Sequence, residues 1–212
     1  MPRVAYGGSS LQSWRTDAPA GPENTRVGVR ARKSPGHPVL PATMDLMSAR
    51  EKKDQLAETD RLRQEGRAGE ARERLLALTA EFPDDAEVAY RTAWVHDVLG
   101  LETEAVAYYE RSLAGTGLDA EDRRGALLGL GSTYRVLGRY GQAVETLRRG
   151  VEEFPDDGAL QTFLAMALFN TEEHHEAMQL LLRVVASTSE DRHVQQYRPA
   201  IEHYAKDLHE TM

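Results

Sequence analysis

The sequence predicts an all-α protein, a right-handed solenoid of about four helix-turn-helix repeats with a C-terminal capping helix. One observation is an alanine that recurs at intervals of 34, 38 and 34 residues, at Ala71, Ala105, Ala143 and Ala177. A second is a glycine five residues before each of the first three alanines, at Gly66, Gly100 and Gly138. A third is the string Glu-Phe-Pro-Asp-Asp, which occurs at Glu81–Asp85 and again 72 residues later at Glu153–Asp157. A period near 34 with small residues at fixed offsets is typical of stacked helical hairpins, whose concave side is a binding surface.

Each repeat is interpreted as two helices joined by a tight turn at the glycine. In the second repeat we expect helices at Ala86–Leu99 and Glu102–Ala114, with Gly100 between them in the left-handed conformation that glycine adopts without strain. Ala93 and Ala105 are the small residues that allow the two helices to approach closely.

The other repeats follow the same plan with two departures. The third places Gly131 at the first small position and Gly138 at the turn, whereas the fourth has Glu172 where the turn glycine is expected. Four extra residues between the second and third repeats are assigned to a loop at Gly115–Asp122, where insertions are tolerated. The expected N-caps of first helices are Asp85, Asp157 and either Asp119 or Asp122.

A final helix is predicted within residues 190–212, after the repeat array at 45–189. Its apolar residues recur at helical spacing, at Val194, Tyr197, Ile201, Tyr204 and Leu208. We interpret them as one face that covers the exposed end of the stack. Pro199 predicts either a kink or a late start of this helix.

Residues 1–44 do not share the repeat pattern. They hold six of the nine prolines and carry a net charge of +4, so we expect a disordered basic segment rich in proline and glycine. Two interpretations compete: an assigned start that lies upstream of the true one at Met44 or Met47, or a basic tail that docks on acidic partners. We favour the first, because the composition is biased without being patterned.

Composition and charge exclude several classes of function. Residues 45–212 carry a net charge of −12, which argues against a nucleic-acid-binding body because phosphate binding needs a basic face. The absence of cysteine excludes disulfides and thiolate chemistry. No apolar run reaches the roughly 20 residues that span a bilayer, and no signal peptide is evident, so we expect no membrane association and a cytoplasmic location.

The segment from Ala86-Glu-Val-Ala-Tyr90 through Leu113 resembles the tetratricopeptide repeat family, whose pattern it follows almost throughout. Residues 45–209, about four fifths of the chain, are also similar to small bacterial proteins of this family that have no assigned activity. The resemblance implies a protein-interaction scaffold, and it implies that the first helix of each repeat lines the concave groove.

On that architecture, excluding the positions that pack on the second helix leaves a predicted peptide-binding groove. The predicted groove residues are Tyr90, Arg91, Trp94, Asp97, Leu128, Ser132, Arg135, Thr162, Met166 and Phe169. Aromatic and methionine side chains flanked by arginines suit a peptide with an apolar anchor and an acidic group. Arg91 and Arg135 are the expected partners of that acidic group.

Alternatives remain for the same residues. Trp94, Met166 and Phe169 would instead be buried if the terminal helix folded back over the groove, or if the protein formed a dimer. Some members of the family clamp the C-terminal carboxylate of chaperones with lysine and asparagine, but the corresponding first-repeat positions hold Leu56 and Asp60, which disfavours that role.

No pattern in the chain predicts an enzyme, a cofactor or a metal site. Phosphate loops, nucleophile elbows and the HExxH motif do not occur. The cluster Glu172-Glu-His-His-Glu176 falls at a repeat turn, where polar residues are expected anyway. We therefore predict a non-catalytic scaffold that binds a peptide segment of another protein in its groove, and a homodimerisation module is the alternative.

Overall fold

The computed structural model describes residues 41–210, with side chains described from Arg50 onward. Within that part of the chain the secondary structure is nine α-helices and no strands. The helices are α1 (Pro41–Gln64), α2 (Ala68–Glu81), α3 (Ala86–Val98), α4 (Glu102–Ala114), α5 (Ala120–Val136), α6 (Tyr140–Glu153), α7 (Gly158–Asn170), α8 (His174–Thr188) and α9 (Arg192–Tyr204).

The chain divides at Ala71 into two compact units. In the first unit α1 begins at Pro41, four residues before the predicted boundary at 45. Proline fits there because the first turn of a helix requires no N–H donor from it. The predictions for residues 1–40 lie outside the described residues.

The second unit, residues 72–212, is a row of helices in which each packs on the next from α3 to α9. The first helices of successive repeats also touch, α3 with α5 and α5 with α7. This is the packing of a helical-repeat solenoid, and it confirms the predicted fold class.

The turns between paired helices confirm the role predicted for the repeated glycine. Gly100 and Gly138 have φ of 72° and 73°. In the fourth repeat Glu172 occupies the same place and adopts a φ of 66°, a conformation that strains any residue with a Cβ. The N–H of Glu173 still donates to the Leu168 carbonyl at 2.9 Å, as the residue after each turn glycine does in its own repeat.

Replacing Glu172 with glycine is therefore expected to raise the free energy of unfolding by about 1 kcal/mol. The substitution removes the strain of a left-handed non-glycine residue, and the larger entropy that glycine loses on folding offsets part of that gain. The exchange in the other direction, Gly138→Glu, should lower it by a similar amount. Thermal unfolding followed by circular dichroism measures both. Equal melting temperatures for the two variants would contradict this account of the turn.

The four extra residues of the third repeat form a helical turn, so the loop prediction for Gly115–Asp122 is wrong. Helix α5 has 17 residues, whereas α3 and α7 have 13 each. The addition lies at the N-terminal end of α5, and the loop before it spans only residues 115–119. Asp119 caps this longer helix, its side chain accepting from the Asp122 N–H at 2.8 Å. An aspartate followed by Ala-Glu-Asp supplies a cap and an acidic first turn, which explains why helix forms there.

The predicted N-caps Asp85 and Asp157 are confirmed. Each side chain accepts a hydrogen bond from the N–H three residues on, at 3.0 Å to Val88 and 2.7 Å to Leu160. These bonds satisfy N–H groups that have no partner inside the helix.

Helix α9 begins at Arg192, capped by Asp191, and Pro199 lies inside it, so it does not start late. It packs on α8, which leaves the face of the first helices uncovered by it. No residue of α9 is buried, and Tyr197 and Tyr204 are 61% and 49% exposed. The apolar face of this helix is therefore narrower than predicted. Val194 and Ile201, which are two turns apart, are half-buried, whereas the two tyrosines are exposed.

Candidate functional site

The candidate site is the face formed by the adjacent helices α3, α5 and α7, which we call the first-helix face. All ten residues of the predicted groove belong to these three helices. In the structure some of these residues are buried in contacts between repeats, and others are exposed to solvent.

Helix α3 contributes mainly contacts between repeats. Tyr90 is only 7% exposed, and its hydroxyl lies where a Cβ on Gly125 would be, so the glycine of α5 makes room for the tyrosine. Burial raises the pKa of Tyr90 to about 12. Trp94 is half-buried and stacks on Tyr90 with ring centroids 6.1 Å apart. Arg91 forms an ion pair with Asp122 at 3.2 Å, so its guanidinium is engaged within the protein rather than presented to a ligand.

Asp97 does not line a groove, contrary to the prediction. It is 6% exposed, and its carboxylate accepts hydrogen bonds from the Tyr109 hydroxyl at 3.0 Å and from the Thr133 hydroxyl at 2.9 Å. One partner belongs to α4 and the other to α5, so this buried carboxylate joins its own repeat to the next. A buried carboxylate needs such donors to offset the loss of water.

Helix α5 divides between core and surface. Ser132 is 6% exposed, and Leu128 is half-buried against the core. Arg135 is half-buried, and its Nε donates to the side-chain oxygen of Asn170 at 3.0 Å. Among the described residues no carboxylate forms an ion pair with Arg135, so its charge is available to a ligand.

Helix α7 carries the most exposed apolar side chain of this face. Phe169 is 63% exposed, and its ring lies 4.8 Å from that of His174. Met166 is half-buried one turn earlier. Thr162 is also half-buried, but its hydroxyl donates to the Gly158 carbonyl at 2.6 Å and is therefore partly satisfied within the helix.

Two exposed apolar residues at the ends of first helices were not predicted. Val136 is 43% exposed at the end of α5, and Leu99 is 36% exposed directly after α3. With Phe169, each of α3, α5 and α7 has an exposed apolar side chain at or directly after its C-terminal end, although the three lie at different positions of the repeat. Spacing gave no signal for Val136, because it lies one helical turn after Ser132, which is itself buried.

Neither a metal site nor a membrane-spanning helix is found in residues 41–210. The histidine and acidic side chains described there form no group of three or more that could hold a metal ion. None of the described helices is both long enough and apolar enough to cross a bilayer.

Comparison with known proteins identifies the fold. The sequence profile of the tetratrico peptide repeat family matches residues 86–208, more than half of the chain. A structure titled "MamA RS-1 ArsTM double mutant" superposes with a TM-score of 0.54 at 17% identity, covering 74% of this chain and 96% of that one. At that identity the likeness concerns the fold alone. No curated protein matches the chain in sequence.

Proposed function

The chain belongs to the tetratricopeptide repeat family, and on that premise we propose that it is a non-catalytic cytoplasmic scaffold that binds a peptide segment of another protein on its first-helix face. The observation that carries the proposal is the exposed Phe169 together with Arg135, whose Nε bonds to the next residue, Asn170, and whose charge has no acidic partner in the described structure. A single exposed apolar residue is ordinary, so the support lies in the combination of Phe169 with Met166 one turn earlier on the same helix, which widens the apolar surface.

The arrangement favours a ligand with one apolar side chain and one carboxylate. Phe169, Met166 and Val136 offer apolar surface on adjacent helices, and the planar guanidinium of Arg135 pairs well with a carboxylate. Asn170 fixes the guanidinium through its Nε, which leaves the terminal nitrogens for the ligand. Compared with the groove predicted from the sequence, the proposed site is shifted towards the C-terminal ends of the first helices.

The double variant Phe169→Ala/Arg135→Ala tests this site. Loss of one aromatic anchor and one charge pair is expected to weaken binding of the physiological partner by roughly 100-fold, since each central contact contributes about 1–2 kcal/mol. The partner is recovered by affinity purification from the native host, and its affinity for each variant is then measured by calorimetry.

The matched control is Tyr140→Ala/Arg192→Ala, which removes an exposed aromatic residue and an exposed arginine outside the first-helix face. This control should bind as tightly as the wild type. If the control and the site variant lose affinity equally, or if neither does, the partner binds elsewhere.

Self-association is the second candidate, and the exposed tyrosines of α9 favour it. Tyr197 and Tyr204 lie two helical turns apart on the same side of α9, and both are exposed. Helix α9 buries none of its residues within the protein, so a second copy could cover this side. Light scattering at micromolar concentration separates the two functions. A dimer that persists in high salt would support self-association. A monomer would exclude self-association under these conditions and leave peptide binding as the remaining candidate.

A further inference from the structure

The second helices form a surface of their own, which contains a cleft of about 620 Å³ between α4 and α6. We call it the α4–α6 cleft. Its floor and apolar side consist of Leu127 and Leu130 of α5 with Leu113 and Ala114 of α4. This volume lies in the range of sites that hold a peptide side chain or a small molecule.

The rim of this cleft is acidic. Glu110 lines it from α4, and Glu145 and Glu152 line it from α6. No lysine or arginine in the described part of the chain pairs with Glu145 or Glu152. Glu110 accepts a hydrogen bond from the Tyr134 hydroxyl, which does not neutralise its charge.

The two arginines that line the cleft are already paired with carboxylates outside it. Arg149 Nε lies 3.0 Å from Glu153, which also pairs with Arg123. Arg148 reaches away to α8, where it lies 2.8 Å from Glu176 and 3.1 Å from Glu173. The lining itself thus holds three glutamates and two arginines, and both arginines are paired with carboxylates outside it. The cleft therefore keeps a negative potential around an apolar floor.

We propose that the α4–α6 cleft is a second docking site, which takes a protein segment with an apolar side chain flanked by lysine or arginine. The apolar side chain covers Leu113 and Leu130, and the flanking cations pair with Glu145 and Glu152. This specificity is opposite in charge to that of the first-helix face, so the two surfaces would select different partners. The neighbouring cleft between α6 and α8, of about 270 Å³, shares Glu152, but its lining holds two arginines, Arg148 and Arg183, for its two glutamates and is therefore balanced in charge.

The test uses a random peptide library displayed on phage and selected on the full-length protein. One enriched class should combine net positive charge with a large apolar residue. Synthetic peptides of that class should bind Glu145→Gln/Glu152→Gln roughly 3- to 10-fold more weakly than the wild type in fluorescence anisotropy, as expected for two rim charges. Their affinity should also fall with added salt.

Three further variants make the result decisive. Ala114→Trp fills the cleft from an exposed position and should abolish binding while the helical circular dichroism is retained. Glu73→Gln/Glu104→Gln removes two exposed charges that do not line the cleft and should bind as the wild type does. Phe169→Ala/Arg135→Ala should leave this peptide class unaffected, so failure here is distinct from failure of the first-helix face. The proposal is overturned if no basic class is enriched, or if such peptides bind the Ala114→Trp protein normally.

Discussion

Replacing Asp97 with alanine is expected to lower the free energy of unfolding by about 2 kcal/mol, because a buried donor would lose its acceptor. The Tyr109 hydroxyl donates to Asp97 at 3.0 Å, and Tyr109 is only 1% exposed, so water cannot replace the carboxylate. Chemical denaturation with urea gives the free energy directly. The groove prediction for Asp97 expects the opposite, a change in ligand affinity with no change in stability.

A double-mutant cycle identifies the interaction responsible. If the loss arises from the stranded hydroxyl, Tyr109→Phe should cost much less in the Asp97→Ala background than in the wild type. The matched control is Asp156→Ala, an exposed aspartate, which should change stability by less than about 0.5 kcal/mol. Additive effects of the two substitutions at 97 and 109 would show that Asp97 acts through something other than Tyr109.

Two glycine-to-alanine substitutions in neighbouring helices are expected to shift stability in opposite directions. At Gly131 of α5, an added Cβ would overlap the side chain of Leu147, which is fully buried and cannot move aside. Overpacking of this kind costs about 1–3 kcal/mol and outweighs the gain in helix propensity. At Gly141 of α6, nothing lies within 4 Å of the added Cβ, so alanine should stabilise by up to about 1 kcal/mol.

The two glycine variants serve as controls for each other, since the chemical change is identical and only the surroundings differ. Their melting temperatures should differ by roughly 2–16 °C, because the stability difference is about 1–4 kcal/mol and a chain of this size shifts by about 2–4 °C per kcal/mol. A result in which both variants are stabilised would mean that α6 can shift to accommodate the methyl group at position 131. The double variant Gly131→Ala/Leu147→Ala should then be compared, because removing Leu147 relieves the overlap but leaves a cavity.

The features predicted well from the sequence are those that depend on a few neighbouring residues. The turn at Gly100 and the caps at Asp85 and Asp157 require only local backbone geometry, and the structure reproduces them. The same applies to the period of the array, because each repeat buries the same stripe against the next. Even the irregular turn at Glu172 was identified, since the period fixes its position.

The groove residues were predicted less accurately, because the adjacent repeat determines whether a side chain on this face is buried or exposed. Asp97 is buried by Thr133, 36 residues away. Tyr90 is buried because position 125 happens to be glycine, and a side chain there would have kept the tyrosine out. Helical spacing predicts the direction in which a side chain leaves its own helix, but it does not predict which side chains of the neighbouring helix pack against it.

The extra turn of α5 gives the array an unequal distribution of local stability. Asp122 in this turn pairs with Arg91 of the preceding repeat at 3.2 Å, and Arg124 directly after it pairs with Asp157 of the following repeat at 3.1 Å. Helix α9, in contrast, packs on α8 and buries none of its own residues. In a row of units held by nearest neighbours, opening then proceeds inward from α9 and reaches α5 late. Among the amides of residues 72–210, those of α5 would accordingly be among the slowest to exchange their protons with heavy water.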